Sequence, residues 1–470
     1  MSFASFSFLF LFLITLIARY SFGKDSSKET YLFFLLIASL VFYASYIPQY
    51  LFILLGITLA DFLLARGIAA AGKQNSKKMF LALSIISNLG LLGFYKYYNF
   101  FVDELRDWSY VFDLHLLTRA ELRIALPLGI SFFTFESMSY TIDVYRGVIQ
   151  PEKRYWRFLL FVSFFTHLIS GPIVRAKELL YQFDRKREPR INVFVEGFYL
   201  IVRGYFLKVV VADNLADYVN GYWSYASGGS ASPGFVLVMA ILFACQIFAD
   251  FEGYSCIARG AAFLLGFHLP LNFNNPYIAG TFKEFWSRWH MTLSRWMRDY
   301  LYIPLGGNRR APIRNYCNVI LVMLIAGFWH GANYTFIWWG GILGTAMVIE
   351  RLVGFSELSG RVWWQRAIWY LIVQTVILIS WIFFRAEFVD QALWMVRHLF
   401  TAPLGFSGMD LLLPGLPFCA PILLLHLNGL LVEKWGVKTV PWVKSLVSAF
   451  MLYAIFTLYG QGNAFLYFHF

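Results

Sequence analysis

The sequence predicts an all-α membrane protein that crosses the bilayer many times. Of its 470 residues, 59% are hydrophobic and 14% are charged, whereas soluble domains contain about 45–50% apolar and about 25% charged residues. A helix crosses a bilayer core of about 30 Å with about 20 apolar residues, or fewer where it is shielded by protein. Apolar runs of this kind predict about a dozen crossings, at residues 3–18, 31–46, 49–65, 79–96, 156–171, 193–212, 233–250, 317–330, 333–350, 365–384, 411–428 and 443–459.

The first run and two interrupted runs need separate interpretation. Residues 3–18 follow Met-Ser without a basic region and end without an A-x-A site, which favours a first membrane helix over a cleaved signal peptide. Residues 126–142 and 254–282 are apolar but contain Gly, Pro, Asn and Ser, so we predict broken or re-entrant helices that are buried in protein or line a cavity. No repeat and no linker divides the chain, and we expect one domain over residues 1–470.

The basic residues predict the orientation. The net charge is +12, and Lys and Arg gather in three segments, 66–78, 175–190 and 283–314. By the positive-inside rule these segments face the cytoplasm, contact anionic lipid, and leave both termini on the outer side. Because the charges lie between apolar runs, membrane contact explains them better than nucleic-acid binding. The four cysteines show no CxxC spacing, so we expect neither a disulfide framework nor a zinc site.

The densest polar region is residues 276–310. On one continuous helix, aromatic and charged residues would form two faces. The first face is Trp286, Trp289 and Leu293, and the second is Arg288, Arg295 and Asp299. An interfacial amphipathic helix would explain the pattern, but it leaves His290 unexplained, because this histidine lies where the chain should enter the membrane.

His330 is the sharper case, because GFWHGANY (327–334) stands between two apolar runs. An ionisable side chain at membrane depth is costly and usually faces a cavity or a functional path. Gly331 would allow backbone or substrate to approach closely. A buried, hydrogen-bonded histidine is the alternative, but a second histidine at 290 favours a site in which neutral imidazole acts as general base. No third ligand is evident for zinc, so we expect no metal.

Several motifs together resemble the membrane-bound O-acyltransferase family, in the bacterial branch that exports acetyl groups to alginate or peptidoglycan. They are LPLGISFFTFESMSYTIDVYRG, SGPIVRAKEL, FLKVVVADNLA, FADFEGYS, NFNNPYI, EFWSRWHMTLSRWMRDYLYIPLGGNR, GFWHGANYTFIWWG and FFRAE. The resemblance covers roughly residues 5–400. Where relatives often have GYSD, this chain has GYSC, with Cys256, which affects local polarity only.

The resemblance implies a ring of roughly 11–12 tilted transmembrane helices, with re-entrant helices, around a thinned centre that a tunnel pierces. It implies that His330 is the catalytic histidine and that His290 lines the same tunnel. Trp329 and Trp338 would wall the tunnel and exclude water. The acetyl donor would be cytoplasmic acetyl-CoA, and the protein would lie in the bacterial inner membrane.

Coenzyme A carries phosphates, for which arginine offers paired donors. Arg288, Arg295 and Arg309 are therefore candidate donor-binding residues at a cytoplasmic entrance. Positive-inside anchoring explains the same arginines.

The ending FLYFHF (465–470) has two interpretations. An aromatic belt would anchor the last helix at the outer interface. The ending also resembles the C-terminal motif of the small partner peptide in Gram-positive D-alanylation, which implies that Tyr467 is an acyl carrier. A phenol ester is a reactive donor because phenolate leaves more easily than an alkoxide.

The sequence thus predicts an O-acetyltransferase that moves acetyl groups from acetyl-CoA to a periplasmic SGNH-type transferase with a Ser-His-Asp site. The chain has no GxSxG motif of its own, which suits a relay subunit. Its compactness slightly favours peptidoglycan over alginate as the final polymer. A polytopic transporter without acyl chemistry is the alternative, and an acyltransferase that acts alone on lipid or protein is a third.

Overall fold

The computed structural model describes the chain except for residues 1, 2, 4, 22–27, 113–123, 170, 186–190, 230, 310, 404, 437–439 and 461–470. The described part is helical and contains no strand. It forms two compact units, Met1–Phe198 with Ala258–Leu269, and Tyr199–Ile257 with Pro270–Phe470. We describe each unit by itself, and the single domain expected from the sequence stays a prediction.

The first unit is built from the N-terminal helices. They are α1 (Phe6–Ser21), α2 (Glu29–Ala44), α3 (Tyr50–Ala70), α4 (Gln74–Leu92), α5 (Tyr98–Val111), α6 (Ile130–Tyr145), α7 (Tyr155–Ser163), α8 (Ala176–Leu179) and the start of α9 (Ile191–Tyr205). Its centre is α6, where 14 of the 16 residues are buried.

Of the two forms predicted for 126–142, the broken helix is wrong, because α6 is one regular helix, and the re-entrant helix stays a prediction. Its polar side chains do not interrupt it, since they find partners on neighbouring helices. The Ser84 hydroxyl of α4 lies 2.8 Å from the Thr141 hydroxyl of α6 and donates to Asp61 of α3 at 2.6 Å. The irregular part is confined to the entry into α6, where Gly129 takes a left-handed φ of 73°.

The predicted crossing at 156–171 is also wrong, because α7 ends at Ser163 and a turn follows. Nine helical residues are too few to span a bilayer. His167 in this turn is fully buried, and its Nδ1 lies 3.1 Å from Glu136 Oε1. The same oxygen accepts a hydrogen bond from the backbone N–H of Val174 at 2.9 Å. A buried polar tie therefore replaces the end of the expected helix.

The second unit contains most of the chemistry-bearing segments. Its helices are the end of α9, α10 (Asp213–Ser227), most of α11 (Pro233–Leu264), α12 (Phe282–Arg288), α13 (Met291–Met297), α14 (Pro312–His330), α15 (Tyr334–Leu352), α16 (Trp363–Arg385), α17 (Val389–Thr401), α18 (Ala420–Trp435) and α19 (Pro441–Thr457). Helix α11 has 32 residues, so the break expected from residue 254 begins only after Leu264.

The region 276–310 is not the single amphipathic helix that its pattern suggests. Helix α12 ends at Arg288, the chain turns at Trp289 and His290, and α13 begins at Met291. His290 has a φ of 41°, a left-handed conformation that a non-glycine residue adopts rarely and at a cost of about 1–3 kcal/mol. The two predicted faces are therefore split between two short helices.

Six helical stretches of the described residues are long and apolar enough to cross a membrane. They are Tyr50–Ala70, Gln74–Val111, Pro233–Leu264, Pro312–His330, Trp363–Arg385 and Leu413–Trp435, and shorter apolar helices lie at Phe6–Ser21, Glu29–Ala44 and Trp442–Thr457. The predicted class, an all-α multi-pass membrane protein, is confirmed. The count of about a dozen crossings and the tunnel stay predictions.

Candidate active site

His330 is the last residue of α14 and lies in an aromatic enclosure. Its side chain is buried, and its ring centre lies 5.1 Å from that of Trp329, 5.1 Å from that of Trp339 and 5.2 Å from that of Phe384. Each of these three rings meets the imidazole edge to face. The enclosure keeps bulk water from one side of the ring.

Trp338 was expected in the wall of the tunnel, and that role stays a prediction. Its side chain is 48% exposed and stacks on Phe383 at 5.9 Å. Trp339, the next residue on α15, is 1% exposed and contacts His330 instead. Neighbouring residues of a helix point about 100° apart, so the sequence motif alone could not decide between them.

A pair of glycines brings α14 and α15 close together next to His330. A Cβ atom at Gly327 would overlap the carbonyl oxygen of Phe336, and one at Gly340 would overlap that of Met323. Without side chains at these positions, the two backbones approach more closely than ordinary helices. This approach places Trp339 of α15 against His330 of α14.

His290 lies beside His330, at the break between α12 and α13. It is 1% exposed, and its ring centre lies 6.4 Å from that of His330. Its Nδ1 is 3.1 Å from Asn272 Oδ1. Burial lowers the pKa of His290 to about 3, so its imidazole is neutral at pH 7. The structure thus brings the two predicted histidines together.

A cavity of about 540 Å³ opens next to His330. Apolar residues of α13, α14 and α15 form much of its wall, together with Trp286 and Trp339. Four cations also line it: Lys283, Arg295, Arg298 and Arg351. His290 is not among the lining residues, so a continuous passage past both histidines stays a prediction.

Hydrogen bonds connect the start of α12 to α15 beside two of the cations that line the cavity, Lys283 and Arg351. The Thr281 hydroxyl caps α12 by accepting from the backbone N–H of Glu284 at 2.9 Å. Glu350 of α15 accepts from the backbone N–H groups of Phe282 at 2.6 Å and Lys283 at 3.2 Å. Because Arg351 follows Glu350, this cap places Lys283 and Arg351 at the same end of the cavity.

The predicted donor-binding arginines are placed differently from one another. Arg295 lines the cavity. Arg288 lies outside it and makes two hydrogen bonds of 2.8 Å to Glu433 and one of 2.9 Å to Glu284. Arg309 is exposed and is not a lining residue either. Tyr467 lies outside the described residues.

Sequence reasoning missed Arg298 and Arg351 as cavity residues. Arg298 stands in the same basic run as Arg295 and could have been chosen by that criterion. Arg351 follows an apolar helix and carries no signal beyond its charge, although its guanidinium donates to Asn315 at 2.5 Å. The described residues contain no group of three or more His, Cys, Asp or Glu side chains that could hold a metal ion.

Comparison with known proteins identifies the family. The profile of MBOAT, the membrane-bound O-acyltransferase family, matches residues 153–385. A Pseudomonas aeruginosa protein named "Probable alginate O-acetylase" is 38% identical over 402 residues, which cover 85% of this chain and 75% of that protein. The peptidoglycan O-acetyltransferase of Helicobacter pylori is 35% identical over 403 residues, covering 80% of this chain and 74% of that protein.

A more distant relative transfers a different acyl group. The teichoic acid D-alanyltransferase of Streptococcus thermophilus is 28% identical over 372 residues, which cover 70% of this chain and 87% of that protein. The relatives share acyl transfer as their named activity, which supports the enzyme interpretation over a transporter. The chain therefore belongs to the membrane-bound O-acyltransferase family and is a multi-pass membrane acyltransferase.

Proposed function

We propose that this acyltransferase moves acetyl groups from cytoplasmic acetyl-CoA across the bacterial inner membrane to a periplasmic SGNH-type transferase, which O-acetylates a cell-envelope polysaccharide. The observation that carries the proposal is one cavity that is lined both by His330 and by four cations. Two relatives named as O-acetylating enzymes, one for alginate and one for peptidoglycan, support the choice of acyl group.

The cations suit a donor that carries phosphates. Guanidinium groups bind phosphate oxygens through paired hydrogen bonds, and Arg295, Arg298 and Arg351 offer three of them. A volume of about 540 Å³ falls within the range of pockets that bind small molecules and cofactors. Phosphates bound by these cations would leave the thioester free to lie against the apolar wall near His330.

The chemistry needs one base and one leaving group. An acceptor hydroxyl gives its proton to the His330 imidazole as its oxygen attacks the acetyl carbonyl carbon. The C–O bond forms, the C–S bond breaks, and the coenzyme A thiolate takes the proton from the imidazolium. The aromatic enclosure of His330 protects the thioester from hydrolysis.

Tyr467 is the acceptor that we propose, and the last described residues bear on it. The backbone N–H of Gly460 donates to the Val209 carbonyl at 2.8 Å, and the Asn214 side chain donates to the Leu458 carbonyl at 2.8 Å. The seven residues 461–467 reach at most about 25 Å when extended. Leu458 and Gly460 are therefore anchored within the second unit, and the length of chain that follows them is enough for an acyl carrier to act over a short distance.

The polymer that finally receives the acetate is peptidoglycan or alginate in this proposal. Relatives that act on each are similarly close in sequence, at 35% and 38% identity. Ester-linked acetate on the purified envelope polymers of a strain with and without this chain would distinguish them.

Labelled acetyl transfer to the purified protein tests the proposal. Wild-type protein incubated with acetyl-labelled coenzyme A should acquire a covalent label, and His330→Ala should slow labelling by about 10²–10⁴-fold, the usual contribution of a general base. His398→Gln is the matched control, because His398 bonds the Ala231 carbonyl at 2.8 Å and is not a lining residue of the cavity. Absence of label on folded wild-type protein, or full labelling of His330→Ala, would contradict the proposal.

A further inference from the structure

Asn272 makes several hydrogen bonds around His290, and the proposed function assigns it no role. It is fully buried. Its Oδ1 lies 3.1 Å from His290 Nδ1, 2.8 Å from the Thr292 hydroxyl and 3.4 Å from the Thr292 backbone nitrogen. Its Nδ2 donates to the Ser255 hydroxyl of α11 at 3.2 Å. A backbone bond of 2.8 Å from Met291 to its carbonyl also ties it to α13.

These contacts fix which end of the Asn272 amide faces His290. The Thr292 backbone N–H can only donate, so the amide atom beside it must be an acceptor. The Nδ2 group can only donate and would be repelled there. The atom that faces Thr292 and His290 is therefore Oδ1.

The orientation of the amide in turn fixes the tautomer of His290. A carbonyl oxygen can only accept, so the 3.1 Å contact requires that His290 Nδ1 carries its proton. A neutral imidazole has a single N–H, which leaves Nε2 as a bare acceptor. In the described part of the chain this buried Nε2 has no hydrogen-bond partner.

The two histidines are spaced for a bridging atom. Their ring centres are 6.4 Å apart, which is too far for a direct hydrogen bond between ring nitrogens of about 3 Å. An acceptor hydroxyl placed between the rings would approach a ring nitrogen of each. Whether His290 can accept a hydrogen bond from it depends on which nitrogen of its ring is bare.

We propose that Asn272 is a positioning residue for acyl transfer, which holds His290 in the Nδ1–H tautomer and so presents a bare Nε2, as a hydrogen-bond acceptor, to the hydroxyl of the acyl acceptor. This inference rests on the proposed function, since it assigns a role to the histidine pair. It adds a third residue, from a segment that contains neither histidine, and it makes His290 a hydrogen-bond acceptor beside the base His330.

The groups around His290 allow a pH test. The centre of its ring lies 4.7 Å from that of Phe251, 6.4 Å from that of Phe273 and 6.4 Å from that of Trp329. The neighbouring ring that can itself gain a proton is that of His330. Burial alone lowers the pKa of His290 to about 3, so the wild-type residue stays neutral throughout the physiological range.

Asn272→Asp provides the decisive variant. The new carboxylate keeps the shape of the amide and accepts from His290 Nδ1 and from both Thr292 donors, which hold it in the charged form. A negative charge beside Nδ1–H stabilises the imidazolium, so the pKa of His290 rises by about 1–3 units. Titration of ¹⁵N-labelled histidine by NMR measures the pKa of His290 directly and shows this rise as a shift of its titration profile. An unmoved His290 profile in a folded Asn272→Asp protein would overturn the inference.

Two further variants separate positioning from packing. Asn272→Leu removes the acceptor and lets His290 take either tautomer. It should lower kcat by about 10²-fold. This is less than the loss of about 10⁴-fold in a serine protease whose histidine is in the wrong tautomer. Thr292→Val removes one bond to Asn272 but keeps the contact to His290. It should lower the unfolding temperature and leave the pH profile unchanged. Equal kcat losses in both variants would indicate a structural role only.

Nitrogen NMR of the wild-type protein gives a test that needs no folded Asn272 variant. With ¹⁵N-labelled histidine, the spectrum distinguishes a protonated ring nitrogen from a bare one, and the His290→Gln spectrum assigns the signal among the eight histidines. We expect Nδ1 protonated and Nε2 bare, and the reverse would refute the inference. Full activity of His290→Gln would also overturn the inference, whereas the proposed function is tested separately by the labelling of His330→Ala.

Discussion

Replacing Gly327 with alanine should impair catalysis more than folding. Gly327 lies on α14, one turn before His330. Its added Cβ would overlap the Phe336 carbonyl oxygen of α15 and lie 3.3 Å from the Gly340 nitrogen. Both obstacles are backbone atoms, which cannot rotate away as a side chain can. The helices must therefore separate next to His330.

The size of the effect follows from the overlap. Relief to an ordinary contact needs a displacement on the order of 1 Å, which in a packed region costs about 1–3 kcal/mol of stability. The same displacement moves His330 relative to Trp339, which lies on the opposite helix. A misplacement of about 1 Å at a reacting group lowers a rate by about 10²-fold. We expect kcat to fall by about that factor while most of the protein stays folded at 25 °C.

The assay compares acetyl-transfer rates and thermal unfolding in detergent for three proteins. Gly341→Ala is the matched control, because its Cβ would meet only the Leu324 side chain at 3.5 Å, an ordinary contact on the same helix pair. It should retain kcat within about twofold. If a folded Gly327→Ala enzyme also keeps kcat within about threefold of wild type, the close helix approach does not position His330.

Two predictions concern the donor and the acceptor. Arg351→Gln or Arg295→Gln should raise the KM for acetyl-CoA by about 10-fold or more, since a hydrogen bond to a charged group contributes about 1.5–3 kcal/mol. Arg288→Gln should leave that KM unchanged and lower the unfolding temperature, because Arg288 is bonded to Glu433 outside the cavity; a rise in KM for this variant alone would show that the sequence-based choice was right. Tyr467→Phe should abolish ester-linked acetate on the envelope polymer without changing membrane insertion, and normal acetate would leave Tyr467 as an aromatic anchor.

The parts of the site that lie in one continuous motif could be predicted from the sequence. GFWHGANY places His330 at the end of an apolar run, and a single helix with a glycine after it realises that pattern. The positions of the long apolar helices followed from the same logic, because a run of about 20 apolar residues has few alternatives to a buried or lipid-facing helix. The form of runs that mix polar and apolar residues could not be predicted in this way. Helix α6 is an example, because the sequence does not show that its polar side chains have partners on α3 and α4.

The break at His290 could not be predicted from local preference. Residues 282–302 have the composition of a helix, and no Gly or Pro marks a turn at 289 or 290. What holds the left-handed turn is a pair of backbone bonds to a distant segment: Asn274 N to the Arg288 carbonyl at 2.9 Å and Met291 N to the Asn272 carbonyl at 2.8 Å. Contacts of this kind override helix propensity. The strain at His290 is therefore a consequence of its docking on residues 272–274.

The predicted arginines show that charge alone does not determine which arginines line a cavity. Arg288 and Arg295 were equivalent candidates in the sequence, seven residues apart. Glu433, far along the chain, makes two bonds to Arg288 and occupies the fork that a phosphate would need. Arg351 arrives from another helix and takes a place on the cavity wall instead. If the cavity binds an anionic donor, Glu433→Gln should not lower the KM for acetyl-CoA. The substitution releases Arg288, but Arg288 lies outside the cavity. A lower KM for acetyl-CoA in that variant would place the donor at Arg288 and contradict the assignment.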